Sequence, residues 1–143
     1  MPTRLIAIGA LLVVVSLAYV WWSRRQGRVM HVAVAGALTP ADLGAPRGQR
    51  ATFVQFSTPM CAKCPPTREL LLRVVADDTH VTHVEIDASE NLDLARRLDI
   101  MRTPTTLVLD ADGVVVSRMN GAPSEAQARA ALAEVPPPHE YSI

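Results

Sequence analysis

The sequence predicts an α/β domain, in which helices cover both faces of a mixed β-sheet, preceded by one N-terminal transmembrane helix. Three observations support this fold class. An N-terminal run of 18 residues carries no charge. After residue 50, strand-like and helix-like segments follow the order β-α-β-α-β-β-α over about 85 residues. Helical crossovers in this order give parallel strands, and the two consecutive strands near the end give an antiparallel pair.

The apolar run is long enough to cross a membrane. As a helix rising about 1.5 Å per residue, Leu5–Trp22 would span roughly 27 Å, close to the roughly 30 Å hydrocarbon core of a bilayer. It ends with Tyr19, Trp21 and Trp22, residue types that are enriched at membrane interfaces. A cleaved signal peptide is the alternative, but the run is long for one and its bulky end does not suit a cleavage site. We expect residues 1–27 to be an uncleaved membrane anchor.

Charge is distributed unevenly, although the formal net charge is zero. All 14 acidic residues follow residue 40, and the flanks of the apolar run hold four of the 14 basic residues. The resulting mildly acidic domain lacks the basic surface that binds nucleic acid, so we expect no nucleic-acid partner. Arg4 precedes the run, and Arg24, Arg25 and Arg28 follow it. This small excess favours a single-pass cell-membrane protein whose domain faces the cytoplasm, while the opposite orientation stays open.

Residues 28–50 are expected to connect the anchor to the domain. The alternation in Val29–Val34 predicts a juxtamembrane strand, and Pro40–Leu43 predicts one helical turn. The domain itself is expected to occupy residues 51–135. The proline-rich tail 136–143 is expected to be disordered.

The first half of the domain predicts a strand, a helix and a second strand. Ala51–Phe56 is β-branched and aromatic, which favours a buried strand. In Cys61–Ala76, apolar residues recur at the spacing of a helix face. Val81–Asp87 again has the composition of a strand.

The second half predicts a short helix, a β-hairpin and a closing helix. Asn91–Leu98 places leucines on one helix face. Thr105–Leu109 and Val114–Arg118 flank a turn rich in Asp and Gly, which is typical of a hairpin. Ser124–Glu134 begins with a serine followed three residues later by Gln127, the pattern of a capping box.

Cys61 and Cys64, the only cysteines of the sequence, lie where the predicted strand has ended and the helix begins. As a structural staple, a disulfide that closes about four residues contributes only about 2 kcal/mol in the chain-entropy model. Zinc sites usually add a second close pair of ligands. His80 and His83 are three residues apart, which on a strand directs their side chains to opposite faces. We therefore expect no metal site and treat the histidines as surface or edge residues.

A redox-active dithiol is the interpretation that the position of the two cysteines supports most directly. The thiolate is the reactive form, and its pKa falls at a helix N-terminus, where unpaired N–H groups and the helix dipole favour negative charge. We expect Cys61 to be the exposed, attacking thiol and Cys64, one turn into the helix, to be the shielded resolving thiol. Lys63 either lowers the pKa of Cys61 further or is an ordinary solvated lysine.

The segments FVQFSTPMCAKCPPTRELL and VEIDASENLDLARRLDIMRTPTTLVLDADG resemble the thioredoxin family over roughly residues 50–133. The Cys-x-x-Cys motif alone is a modest signal, but Pro104 follows Cys61 by 43 residues and leads into an apolar strand. The resemblance implies a thioredoxin-like fold with a cis peptide bond before Pro104, facing the dithiol. It also implies that clients bind beside Thr103, Pro104 and Met60, with the Thr103 backbone pairing with an extended client segment.

Several positions differ from the thioredoxin pattern. The family has tryptophan before the first cysteine and Gly-Pro between the cysteines, where this chain has Met60 and Ala62–Lys63. The family's buried aspartate, which helps deprotonate the resolving thiol, is replaced by Gln55, which is not a base. Glu85 either substitutes for this aspartate or is an ordinary solvated strand glutamate, and Glu69 replaces a helix-kinking proline. These differences leave the redox potential and the direction of electron flow open.

The sequence therefore predicts a membrane-tethered thiol–disulfide oxidoreductase. Its expected partners are protein thiols or disulfides and a separate electron donor, with no cofactor. Two alternatives remain: a non-catalytic adaptor that uses the groove beside Pro104, and intermolecular carriage of a metal by the two thiols.

Overall fold

A computed structural model of the chain describes residues 2–25, 29–30 and 36–137. The helices are α1 (Pro2–Arg25), α2 (Pro40–Leu43), α3 (Cys64–Ala76), α4 (Leu92–Arg97) and α5 (Glu125–Ala133). The strands are β1 (Val29–Met30), β2 (Ala51–Ser57), β3 (Val81–Asp87), β4 (Thr105–Asp110) and β5 (Val115–Asn120). The predicted α/β fold, a mixed sheet with helices on both faces, is confirmed.

Most predicted boundaries agree with the structure to within two residues, and two differ by more. The helix expected to begin at Cys61 begins three residues later, at Cys64. Of the expected strand Val29–Val34, the structure assigns Val29–Met30, and the following residues 31–35 lie outside the described part of the chain. The same holds for residues 138–143 of the tail that was expected to be disordered.

In the described part of the chain, the sheet has five strands in the order β1-β5-β4-β2-β3. The inner strand β2 runs parallel to β3 and antiparallel to β4, and β5 is antiparallel to β4 and β1. All seven residues of β2 are buried, because helices cover the sheet on both sides. The crossover through α3 gives the predicted parallel pair, and β4 and β5 form the predicted hairpin. The crossover through α4 differs from the prediction, because β4 pairs antiparallel with β2 and so runs opposite to β3.

Each face of the sheet carries its own apolar core. On one face, Phe53 of β2 packs with residues of α3 and α5, including Leu71, Val74 and Ala131. On the other face, residues of β2 and β4 pack with α2 and α4; the buried members include Val54, Phe56, Leu107, Leu43, Ala95 and Leu98. The alternation of side chains along β2 assigns its even and odd positions to opposite cores.

Capping boxes begin two of the helices. The one predicted at α5 is present: the Ser124 hydroxyl accepts from the Gln127 N–H at 3.2 Å, and the Gln127 side chain accepts from the Ser124 N–H at 2.8 Å. A second capping box begins α2, where Thr39 and Asp42 bond reciprocally. Asp42 also pairs with Arg97 at 2.8 Å, so this carboxylate joins α2 to α4.

The N-terminal helix α1 contains the 18-residue segment Leu5–Trp22, with a mean hydropathy of 2.3 and no residue buried. By length and composition this segment is able to cross a membrane, and a signal sequence at the same place would have the same properties. The structure therefore supports an apolar N-terminal helix.

Asp42→Asn tests the contribution of the α2 cap. Hydrogen bonds from the Thr39 N–H and hydroxyl and from Arg97 lower the pKa of Asp42 from 3.8 to about 2. The carboxylate thus stabilises the folded state above pH 3.8, and the effect disappears as the pH falls towards 2. We expect the variant to lose about 1 kcal/mol of unfolding free energy at pH 7.

Urea unfolding of both proteins at pH 7 and near pH 2 measures this difference. The two stabilities should converge at the lower pH. A gap that persists there would show that the charge of Asp42 is not its cause.

Candidate active site

Cys61 and Cys64 form a disulfide between the end of β2 and the start of α3, with their Cα atoms 5.4 Å apart. Cys61 is partly exposed, whereas Cys64 is 3% exposed. A reagent or partner thiol in solution therefore has access to one sulfur of the pair far more readily than to the other. This asymmetry agrees with the distinct roles that the sequence predicts for the two thiols.

The start of α3 offers Cys61 fewer N–H donors than the sequence suggested. Pro65 and Pro66 occupy the first turn and have no N–H group. The Cys64 N–H donates to the Cys61 carbonyl at 3.3 Å. The dipole of α3 still favours a thiolate at Cys61. Residues 64–66 add no hydrogen bond to this thiolate, because the one N–H group among them already bonds to the Cys61 carbonyl.

Lys63 is the N-cap residue of α3, and its side chain is exposed. Its carbonyl accepts hydrogen bonds from the Thr67 hydroxyl at 2.8 Å and from the Thr67 N–H at 3.2 Å. The backbone of the motif is thereby fixed, while the ammonium group extends into solvent. At such an exposed position its charge is screened by salt.

The Thr103–Pro104 peptide bond is cis, as the resemblance implied. The antiparallel pairing of β2 with β4 places Phe56, near the end of β2, opposite Thr105, at the start of β4. The Thr58 and Thr103 hydroxyls lie 3.3 Å apart, and the Thr58 carbonyl accepts from the Cys61 N–H at 3.1 Å. Thr58 thus links the dithiol turn to the Pro104 turn.

A cleft of about 410 Å³ opens beside the Thr58–Thr103 contact. Its lining is mostly apolar and comes from the segment after β3, from α4 and from the loop before Pro104. Met101 on this rim is 84% exposed, and Met60, which precedes Cys61 in the chain, is 94% exposed. Among the described residues, the backbone N–H and carbonyl of Thr103 have no hydrogen-bond partner.

Comparison with protein families gives a match to the model of a thioredoxin-like domain over residues 41–136. The chain belongs to the thioredoxin-like family. No curated protein sequence matches the chain. The fold and the disulfide-bonded cysteine pair support thiol–disulfide oxidoreductase activity at a general level.

Solved thioredoxin structures share this fold. The thioredoxin of Fasciola hepatica superposes with a TM-score of 0.55 at 21% identity, covering 62% of this chain and 84% of its own. A thioredoxin from Nicotiana alata gives 0.55 at 26% identity, covering 62% and 76%. Chloroplastic thioredoxin z gives 0.54 at 27% identity, covering 60% and 78%.

Beneath the dithiol of this thioredoxin-like domain lies the fully buried amide of Gln55. Its Nε2 donates to the Cys64 carbonyl at 2.9 Å and to the Ser57 hydroxyl at 3.1 Å. Its Oε1 lies 3.0 Å from Nε2 of His83 on β3. Both N–H groups and the carbonyl of this buried amide are therefore satisfied, which offsets the cost of its desolvation.

Glu85 does not replace the missing aspartate: it pairs with Arg68 of α3 at 3.3 Å and is turned towards solvent, as its solvated alternative predicts. His83 lies half-buried on the edge strand β3, where it also contacts the buried Gln55. The sequence carried no signal for this contact, because it depends on the register of β2 against β3.

The described side chains of His80 and His83 do not form a metal site. Within the described ranges, no group of three or more His, Cys, Asp or Glu side chains is arranged to hold a metal ion. His80, the partner of His83 in the H-x-x-H spacing, lies 3.5 Å from Asp78 instead.

His83→Gln tests the electrostatic environment of this histidine. Burial lowers the pKa of His83, with Arg68 lowering it further and Glu85 opposing both. The unfolded chain therefore binds a proton more readily, and the folded protein loses stability as the pH falls through 6.5. We expect the wild type to lose more unfolding free energy than the variant between pH 7.5 and pH 5.

Denaturant midpoints of both proteins at these two pH values measure the effect, with the exposed His80→Gln as the matched control. Equal losses in the wild type and His83→Gln would contradict a lowered pKa of the half-buried His83.

Proposed function

We propose that this protein is a membrane-tethered thiol–disulfide oxidoreductase with Cys61 as nucleophile and Cys64 as resolving thiol. The observation that carries the proposal is the disulfide between a partly exposed Cys61 and a buried Cys64 beside the cis Thr103–Pro104 turn. A cross-link between residues three apart stabilises a fold weakly, whereas its place at a helix start is typical of a reactive pair.

The reaction proceeds in two exchange steps. The Cys61 thiolate attacks a client disulfide, so a mixed disulfide forms and one client thiolate leaves. Cys64 then loses its proton and attacks Cys61 Sγ; the Cys61–Cys64 bond forms and the second client thiolate leaves. Two electrons pass from the domain to the client, and a separate dithiol donor is needed to reduce the domain again.

Clients bind across the Pro104 turn in this proposal. The backbone N–H and carbonyl of Thr103, which bond to none of the described residues, suit an extended client segment that adds to them as a short strand. The exposed Met60 and Met101 supply adaptable apolar contacts on either side. Such a surface accepts many sequences, which fits an enzyme whose clients are proteins with accessible disulfides.

The tether in this proposal is α1. A helix with 18 consecutive uncharged, exposed residues is unfavourable in water, and a bilayer core matches its length. Arginines after the apolar run outnumber those before it, which favours a domain on the cytoplasmic side. There, the protein would reduce membrane-associated proteins.

Cys64→Ser tests the chemistry in cells. Without the resolving thiol, the mixed disulfide between Cys61 and a client persists, so we expect covalent adducts on non-reducing gels that vanish on reduction. Cys61→Ser and the double variant are matched controls and should form few or none. Adducts that are equally abundant in all three variants would contradict the role of Cys61. Partner binding that survives loss of both cysteines would instead indicate an adaptor.

Alkaline extraction of membranes tests the tether. We expect the full chain to stay in the membrane pellet at its full mass, and a chain without residues 2–25 to appear in the soluble fraction. A mature protein shortened by the mass of the N-terminal segment would show that the segment is a cleaved signal peptide.

A further inference from the structure

The orientation of the Gln55 amide is fixed by its partners. Its Nε2 has two acceptors, the Cys64 carbonyl at 2.9 Å and the Ser57 hydroxyl at 3.1 Å. Its Oε1 is then able only to accept, so Nε2 of His83, 3.0 Å away, carries the hydrogen between them. Burial lowers the pKa of His83, and the neutral ring with its hydrogen on Nε2 meets this requirement.

The Cys64 carbonyl distinguishes the two orientations of the amide. With the amide reversed, Oε1 would face this carbonyl, and two acceptors would oppose each other at a fully buried site. In the observed orientation Oε1 bonds to Nε2 of His83 at 3.0 Å. This hydrogen bond from His83 helps to hold the amide where it donates to the peptide of Cys64.

We propose that His83 is a positioning residue for the resolving step, acting through Gln55 on the backbone of Cys64. The proposal rests on the oxidoreductase function proposed above. By fixing the Cys64 carbonyl, the His83–Gln55 pair keeps Cys64 Sγ aligned for attack on Cys61 Sγ within the mixed disulfide. The bond changes are those of the second exchange step; His83 neither gains nor loses a proton in it.

The two cysteines, and so the two exchange steps, depend on different backbone contacts. Gln55 bonds to the peptide of Cys64, whereas the N–H of Cys61 bonds to the Thr58 carbonyl. Loss of the amide orientation therefore disturbs the buried thiol first. Small displacements of a reacting atom cost large factors in rate when the attack is intramolecular. The charged groups beside His83, Glu85 on β3 and Arg68 on α3, pair with each other at 3.3 Å and do not replace its hydrogen bond.

The test uses the reduced full-length chain in detergent micelles, mixed with limiting dithiobis(nitrobenzoate). Attack by Cys61 releases one coloured thiolate, and attack by Cys64 on the resulting mixed disulfide releases the second. The readout is the ratio of the second rate constant to the first. For His83→Leu we expect this ratio to fall about fivefold, the factor associated with one lost hydrogen bond.

Further variants distinguish positioning from a general loss of structure. His83→Gln keeps an N–H donor and should restore the ratio, and the exposed His80→Leu should leave it at the wild-type value. Gln55→Met should lower the ratio as His83→Leu does, and the double variant should lower it no further, because both changes break one chain of contacts.

Different outcomes would overturn the positioning role of His83 and the proposed oxidoreductase function. An unchanged ratio in a folded His83→Leu or Gln55→Met would overturn the positioning role, and if one of these variants does not fold the other decides. Additive effects in the double variant would also overturn it. A wild type that releases no second thiolate would overturn the proposed oxidoreductase function itself, and this inference with it.

Discussion

The buried inner strand β2 pairs with β4 in antiparallel orientation, and the position of the dithiol beside the Pro104 turn depends on this pairing. It places the end of β2, which leads to the dithiol, beside the start of β4, which follows the Thr103–Pro104 bond. Two segments 43 residues apart in the chain thereby form one surface. The pairing is strongly specified because β2 is buried on both faces, so a shift of one residue would exchange the two cores.

The same strand determines the polarity beneath the dithiol. Gln55 faces α3, and its fully buried position would make an unpaired carboxylate costly there. The amide is neutral, and Ser57, the Cys64 carbonyl and His83 satisfy its hydrogen bonds. Where the thioredoxin pattern has a buried acid, this site has an amide that is held by hydrogen bonds. The proton of Cys64 must therefore leave by another route than a buried carboxylate of β2.

The sequence predicted the elements well and their contacts less well. Periodicity, the hairpin turn and the Ser124 cap are local signals, and the predicted strands and helices agree with the structure to within a few residues. The predicted start of α3 was wrong. Pro65 and Pro66 fit the first turn of a helix, so the helix begins at Cys64 and Cys61 lies in the preceding turn. The Gln55–His83 contact joins two strands diagonally. In the parallel register Gln55 stands opposite Glu85, so sequence reasoning selected the wrong neighbour.

The central claim is that Cys61 and Cys64 form a reversible redox couple, and a redox titration tests it most directly. The protein is equilibrated in buffers of graded thiol–disulfide potential, its free thiols are trapped by alkylation, and the modified cysteines are counted by mass. We predict one two-electron transition, with both cysteines changing together, between about −270 and −120 mV. A pair that stays oxidised below about −300 mV would behave as a structural disulfide and would contradict this account.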